Sequence, residues 1–337
     1  MKLATEIRWQ DSHYRVPVER IRLTERCGYD ALFTAEGNGS DAFTPLGYAA
    51  AITSRLQLGT CIAQVTGRSP AATTMQFQTL HHMSGGRVIA GLGSTNPNWS
   101  EALHGRPWGN PVARMRDFVT VLRQGLSHEP LAHTGPEITV PLADRPPAPT
   151  VLTDTPGIPI VIAAGGRQMI SLAAEIGDGW FPVNFAPGMF GRVLPLLQRG
   201  FDRAGNGKSL AGFDIWAHVD VMVDDDVRTA MRPFKEYVVR YAELQREIMI
   251  MRGYPDLNDE LCQLKAAGRA DDAVAVVPDE YVDDGWLVGP LDRIVRRLEP
   301  WLDCGATGLI IRYGPQGQDL GGTEPLEVFE AIARSAR

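Results

Sequence analysis

Eight short runs rich in Val, Ile, Leu and Ala, centred near residues 5, 32, 59, 90, 161, 181, 219 and 310, punctuate the 337-residue chain, and helix-like segments follow nearly every one. Strand and helix in strict alternation predict a parallel sheet, because each crossover helix returns the chain to start the next strand in the same direction. Eight such units in one chain of this length favour a closed ring over an open doubly wound sheet. The expected fold is α/β, a (β/α)8 TIM barrel forming a single domain over residues 1–337.

Helical spacing places helices at 17–27, 43–53, 70–83, 112–126, 169–176, 189–204, 227–252, 290–304 and 325–333. Gly28 stops the first, and Pro70 sits in the first turn of the third, where a missing N–H costs nothing. Two stretches break the alternation. Residues 129–157 are rich in proline and read as a hairpin and surface excursion, and residues 255–286 read as irregular and acidic. Both are treated as insertions that roof a pocket.

Composition excludes several functions. The chain is 44% hydrophobic and 22% charged with a net charge of −7, so it carries no broad positive field for nucleic acid. Its apolar runs fall far short of the roughly 20 residues a membrane helix needs, and residues 1–9 lack the apolar core of a signal peptide. Cys27, Cys61, Cys262 and Cys304 are scattered without a CxxC pair. A reduced, cytoplasmic protein with no structural metal and a small-molecule substrate is expected. The adjacent His81 and His82 point apart on a helix and lack a third ligand nearby.

In a barrel of this kind the chemistry gathers at the C-terminal strand ends. That directs attention to Glu6, Trp9 and His13, to residues 34–41, 61–68, 93–99, 163–167 and 182–184, to His218, and to residues 312–314. In Ile160-Val161-Ile162-Ala163-Ala164-Gly165-Gly166-Arg167 a strand feeds a Gly-Gly turn into a helix. Glycines admit a close backbone approach, and the first helical N–H groups are unfilled donors, so the turn is either a phosphate cradle or a plain strand–helix turn. Gly91 and Gly93, before Ser94, Thr95 and Asn96, leave room for a flat ring or a second phosphate contact. After the second strand stand Glu36 and Asp41; Asp41 suits a helix cap, whereas Glu36 is a candidate acid or hydrogen-bonding anchor.

Taken together, "AEGNGSDAFTPL", "SRLQLGTCIAQVTGRSPA", "MSGGRVIAGLGS", "HGRPWGNPVARMRDFV" and "IPIVIAAGGRQMISLAAEIGDGWFP" resemble the luciferase-like monooxygenase superfamily, and within it the oxidoreductases that use the deazaflavin coenzyme F420. The likeness is good over residues 1–205 and only in outline beyond. It implies a non-prolyl cis peptide between Cys61 and Ile62 against the cofactor ring. It also implies cofactor contacts at Ser94, Thr95 and Asn96, a phosphate site at Ala164, Gly165, Gly166 and Arg167, and Glu6 on the substrate side.

The departures matter too. The acidic residue followed by His in several deazaflavin enzymes is here Glu36-Gly37, a further acidic position is Asn96, and the usual Pro after Gly-Gly is Arg167. The proton donor is then sought among His13, Glu6 and His218. The resemblance implies hydride transfer to or from a C=C, C=N or C=O bond or an alcohol, and a homodimer. The rivals are an FMN-dependent monooxygenase on the same barrel and a non-catalytic flavin-binding barrel.

Overall fold

A computed structural model describes residues 1–8, 14–155, 157–317 and 324–336. Eight parallel strands close into a ring: β1 (Lys2–Ile7), β2 (Ala31–Thr34), β3 (Gln57–Thr60), β4 (Val88–Gly93), β5 (Ile160–Ala164), β6 (Gly179–Pro182), β7 (Asp214–Val223) and β8 (Gly308–Tyr313). Each pairs with the next, and β8 returns to β1 with Ala4 opposite Ile310. All eight expected strands are present, and the closed (β/α)8 barrel is the observed fold.

Helices α1 (Val18–Arg26), α2 (Thr44–Ile52), α3 (Pro70–Ser84), α4 (Pro111–Leu126), α5 (Arg167–Ile176) and α6 (Phe190–Ala204) wrap the first six strands. Local chemistry sets their ends. The Ser69 hydroxyl accepts from the Ala72 N–H at 3.2 Å to start α3, and Gly85, at φ 67°, stops it. Asn110 caps α4 by accepting from the N–H groups of Val112 and Ala113 at 3.1 Å. The main core lies between these helices and the sheet. Inside the ring, Phe33 meets Phe181 and Trp216 edge-on, with centroids 5.3 Å apart in both pairs, and Ala4, Ile89, Val161 and Ile310 complete an apolar plug.

The crossover from β7 to β8 departs from expectation. The single helix expected over 227–252 is instead α7 (Val227–Arg240), a 3-10 turn (Ala242–Leu244) and a helix Arg246–Arg252. The break turns Ala242 and Met249 inward. Nor is 255–286 irregular: it folds as helices Leu257–Ala266, Ala270–Val276 and Asp279–Gly285. Leu261, Ala273, Tyr281 and Val282 pack against Phe234 and Val238 of α7 and against Trp286, giving this segment its own small core. Its helices are only seven to ten residues long, too short for the period to emerge from acidic surroundings. The 290–304 region likewise splits into Leu291–Arg296 and Glu299–Leu302.

In the 129–157 stretch the expected hairpin forms, from His133–Thr134 and Thr139–Val140. It is pinned to the outside of α4, where Asp117 accepts from the N–H groups of Glu137 and Ile138 at 2.8 and 2.9 Å. That segment braces α4, and its residues 136–140 line a cavity of about 640 Å³ with Val65, Thr66 and Arg68 of the loop after β3.

Candidate active site

Alternation along three strands builds the site. Side chains two apart on a strand share a face, so β1 sends Ala4, then Glu6, towards the barrel mouth, with Arg8 just beyond its end. On β7 the series is Trp216, His218, Asp220, and on β8 it is Ile310, then Arg312. The lowest member of each series belongs to the apolar plug. Above it lies a buried polar layer in which Glu6 and Asp220 are 3% and 1% exposed and Arg312 is 5% exposed.

The partners within this layer are close. Glu6 Oε2 lies 3.0 Å from His218 Nε2, and its Oε1 lies 3.7 Å from both Arg312 Nη1 and Arg8 Nε without a hydrogen bond. Arg312 Nε donates to Asp220 Oδ1 at 2.5 Å, and Asp220 Oδ2 accepts the Gln316 N–H at 2.8 Å. Burial alone would raise the Glu6 pKa, but Arg312, the His218 hydrogen bond and Arg8 outweigh it and hold the group down to about 2. Burial, reinforced by Arg312, pushes His218 below its ordinary range against the pull of Glu6. The pair is therefore carboxylate and neutral imidazole, with Nε2–H donating to Glu6.

Cys61 Sγ lies 3.4 Å from the same His218 nitrogen. One nitrogen cannot both donate to Glu6 and take a proton from the thiol, so the trio is no nucleophilic relay. Burial, with Glu6 adding to it, keeps the Cys61 pKa well above normal, and the sulfur stays a thiol. The donor atoms of Glu6, Cys61 and His218 lie within 4.8 Å of one another. Two guanidinium groups already face Glu6 there, which suits an internal ion-pair network better than a cation.

The Cys61–Ile62 peptide is cis. The adjoining strand makes room for it in a way the sequence reading misassigned. A Cβ on Gly91 would stand 1.6 Å from the Thr60 carbonyl oxygen, and one on Gly93 would stand 2.6 Å from the Ile62 side chain. These glycines admit the β3 backbone and Ile62; the space expected for a ring is filled by protein. Gly91→Ala should therefore destabilise the fold by at least the 1–3 kcal/mol typical of overpacking, read as a lower denaturant midpoint. A midpoint equal to that of the parent would contradict the packing described.

Glu36 acts as a hydrogen-bonding anchor, one of the two roles expected of it. It forms a two-pronged ion pair with Arg68, with Arg68 Nε 2.9 Å from Oε2, and Oε2 also accepts the Gln64 N–H at 2.8 Å. It ties the end of β2 to the loop after β3 and is not hydrogen-bonded to the Glu6 group. Ser94, Thr95 and Asn96 are half-buried after β4, and the Asn96 side chain accepts from the Trp99 N–H at 3.0 Å. The Ala164 carbonyl accepts from Trp180 Nε1 at 2.9 Å. Beyond it Gly166 is exposed and precedes α5, which no side chain caps. Arg167 is paired with Glu247 at 3.2 Å. His13 and Trp9 lie outside the described residues.

Tyr237, Gln316 and Arg8, which sequence reasoning missed, complete the mouth with Asn184 of the 182–184 stretch. Tyr237 of α7 accepts from Gln316 Nε2 at 2.6 Å and lies 3.2 Å from Asn184 Nδ2, and Arg8 donates to the Gln316 carbonyl. Asn184 and Gln316 both adopt left-handed backbone, at φ 45° and 55°. Asp220 and Arg8 had a legible signal, the two-residue offset from His218 and Glu6; Tyr237 had none.

A closed parallel barrel with a buried charged constellation at its C-terminal strand ends has the layout of a barrel enzyme. The sequence matches the family model described as luciferase-like monooxygenase over residues 4–308, and the chain belongs to that family. It is 34% identical over 319 residues to the Mycobacterium tuberculosis protein named "Putative coenzyme F420-dependent oxidoreductase Rv3520c", covering 89% of this chain and 91% of that one. The coenzyme F420-dependent tetrahydromethanopterin reductase from Methanopyrus kandleri shares the fold, with a TM-score of 0.79 at 21% identity over 99% of this chain and 97% of that one. So does the FMN-bound oxygenating constituent of a Pseudomonas putida 3,6-diketocamphane monooxygenase, with a TM-score of 0.70 at 16% identity over 100% and 97%.

Proposed function

We propose that this protein is a coenzyme F420-dependent oxidoreductase that exchanges hydride with a small organic substrate at the barrel mouth. The substrate would be an electron-poor C=C, C=N or C=O bond, or an alcohol in the reverse direction. The observation that carries this reading is the ionised Glu6 held against neutral His218 in a buried layer, with Oε1 left without a hydrogen bond. The 34% identical relative named for F420 supports the cofactor.

The residues present fit such a group. The exposed Gly166 and the uncapped first turn of α5 offer backbone N–H donors and a favourable dipole to an anionic tail. When bound, the deazaflavin supplies the carbon that gives or takes hydride. The chain does the rest. Glu6 Oε1 accepts a hydrogen bond from a substrate O–H or N–H and orients it. His218 takes up or releases the accompanying proton, with the Glu6 carboxylate stabilising its imidazolium form. Arg312 and Asp220 hold both groups in place, and Tyr237 with Gln316 helps close the mouth to water.

The FMN-bound neighbour favours a second reading, an FMN-dependent monooxygenase. Oxygen uptake separates the two. With the reduced deazaflavin or with reduced FMN, the protein should consume no more oxygen than the free cofactor does; protein-stimulated, substrate-dependent uptake with reduced FMN would establish the second reading.

For the homodimer we propose the apolar groove between α2 and α3, where Phe43, Leu80, Met75 and Met83 line one surface and the two methionines are 50% and 60% exposed. Light scattering should give twice the chain mass, and Met75→Asp should return the monomer.

A further inference from the structure

A cavity of about 380 Å³ lies apart from the Glu6 layer, between the start of α6 and the helical segment that follows β7. Three arginines line it: Arg192 of α6, Arg252 at the end of the helix Arg246–Arg252, and Arg297. Its carboxylates are already engaged. Asp283 forms a two-pronged pair with Arg293 at 2.7 and 2.8 Å and faces Arg297 Nε at 3.9 Å, and Asp284 accepts from the Tyr254 hydroxyl at 3.1 Å.

Arg252 and Arg192 have no such counter-charge among the described residues. Arg252 is 7% exposed. Its guanidinium lies 3.7 Å from the centre of the Tyr281 ring and 5.2 Å from that of Trp286, and Nη2 donates to the Tyr281 carbonyl. Its Nε and Nη1 are buried without any hydrogen-bond partner. Arg192 makes one bond, from Nη1 to the Met251 carbonyl at 3.0 Å. A buried guanidinium with two idle nitrogens is costly unless something meets them, and its planar fork matches the oxygens of an oxyanion.

We propose that this cavity is an oxyanion-binding site for a phosphate-bearing or similarly acidic ligand, with Arg252 as its anchor and Arg192 as its second contact. Two sources share that chemistry, a free phosphate compound and the acidic tail of a cofactor laid across the α5 N-terminus. The second is within reach, because one helix serves both places. Its Glu247 pairs with Arg167, and its Ile248 approaches within 3.4 Å of the Cβ position of Gly165. Arg252 follows Ile248 by one turn, about 6 Å. The free-ligand arm stands whether or not the cofactor assignment holds.

The test is thermal unfolding of the cofactor-free protein against inorganic phosphate, with ionic strength held constant by chloride. Binding to the folded state should raise the melting temperature saturably. Arg252→Met, which keeps the stacking volume, should weaken the apparent affinity at least tenfold. Arg192→Gln, on an exposed residue, should weaken it several-fold while lowering the ligand-free melting temperature only slightly, through the lost bond to the Met251 carbonyl. Repeating the titration on deazaflavin-loaded protein distinguishes the sources: an abolished phosphate response assigns the cavity to the tail, and a retained one assigns it to a free ligand. No saturable shift in the parent, or the same shift in parent and both variants, would overturn the proposal.

Discussion

Glu6→Gln should lower kcat by about 10²–10⁴-fold, the range that positioned acid–base groups contribute. The amide keeps the size of the side chain and can still accept from His218 Nε2, which sits 3.0 Å from Oε2. What it removes is the negative charge facing Arg312 and Arg8 at 3.7 Å, and with it the support for an imidazolium on His218. The pH profile carries a signature that a merely structural role would not produce. Glu6, held down to about 2 against the effect of burial, is ionised at every pH where the enzyme would be assayed. The acid limb therefore belongs to His218, which burial and Arg312 set below the ordinary histidine range. In the proton-releasing direction the neutral imidazole is the acceptor, so kcat falls as pH drops through that pKa; in the proton-consuming direction the sign reverses. Removing the carboxylate takes away a contribution that raises the His218 pKa, so the limb in Glu6→Gln should move to lower pH. An unchanged kcat with an unmoved limb would remove Glu6 and His218 from the chemistry.

Arg312→Met should cost about 3–5 kcal/mol of stability near neutral pH, because removing one partner from a buried ion pair leaves its counter-charge uncompensated. Here one guanidinium serves two acids, Asp220 through a 2.5 Å bond and Glu6 at 3.7 Å. Linkage gives the variant a distinctive slope. In the parent the folded pKa of Glu6 lies near 2, below the unfolded value of 4.5, so its contribution is present above 4.5 and is lost as pH falls towards 2. Without Arg312, burial is less opposed and the carboxyl pKa rises. The variant should then recover part of its deficit as pH falls from 7.5 to 5, while the parent does not gain. Denaturant unfolding at the two pH values reads both effects. A loss under about 1 kcal/mol with a parental slope would mean that the layer is not coupled as described.

The barrel was legible because strands packed on both faces are rich in apolar residues, and all eight showed as short apolar-rich runs alternating with helix-like segments. Glu6 was legible as a polar residue near the C-terminal end of its run, and His218 as one in the middle of a longer run. Glu36 was legible as a hydrogen-bonding anchor, but its partner was not. Its fate depends on Arg68, 32 residues away, and nothing local shows that the loop after β3 folds back to pair with it. Tyr237 was invisible because α7 looks like any amphipathic helix until its docking aims one hydroxyl at Gln316. The helices of 255–286 were hidden by their shortness, since each contributes only one or two buried residues to the core they share with α7.

The central claim is the deazaflavin assignment, and equilibrium titration of cofactor-free protein tests it most directly. Oxidised coenzyme F420 and FMN would each be added while intrinsic tryptophan fluorescence and cofactor absorbance are followed. The structure and its relatives predict saturable binding of F420 at least about tenfold tighter than that of FMN, equivalent to about 1.4 kcal/mol. Tighter binding of FMN, or no saturable binding of F420, would contradict the account.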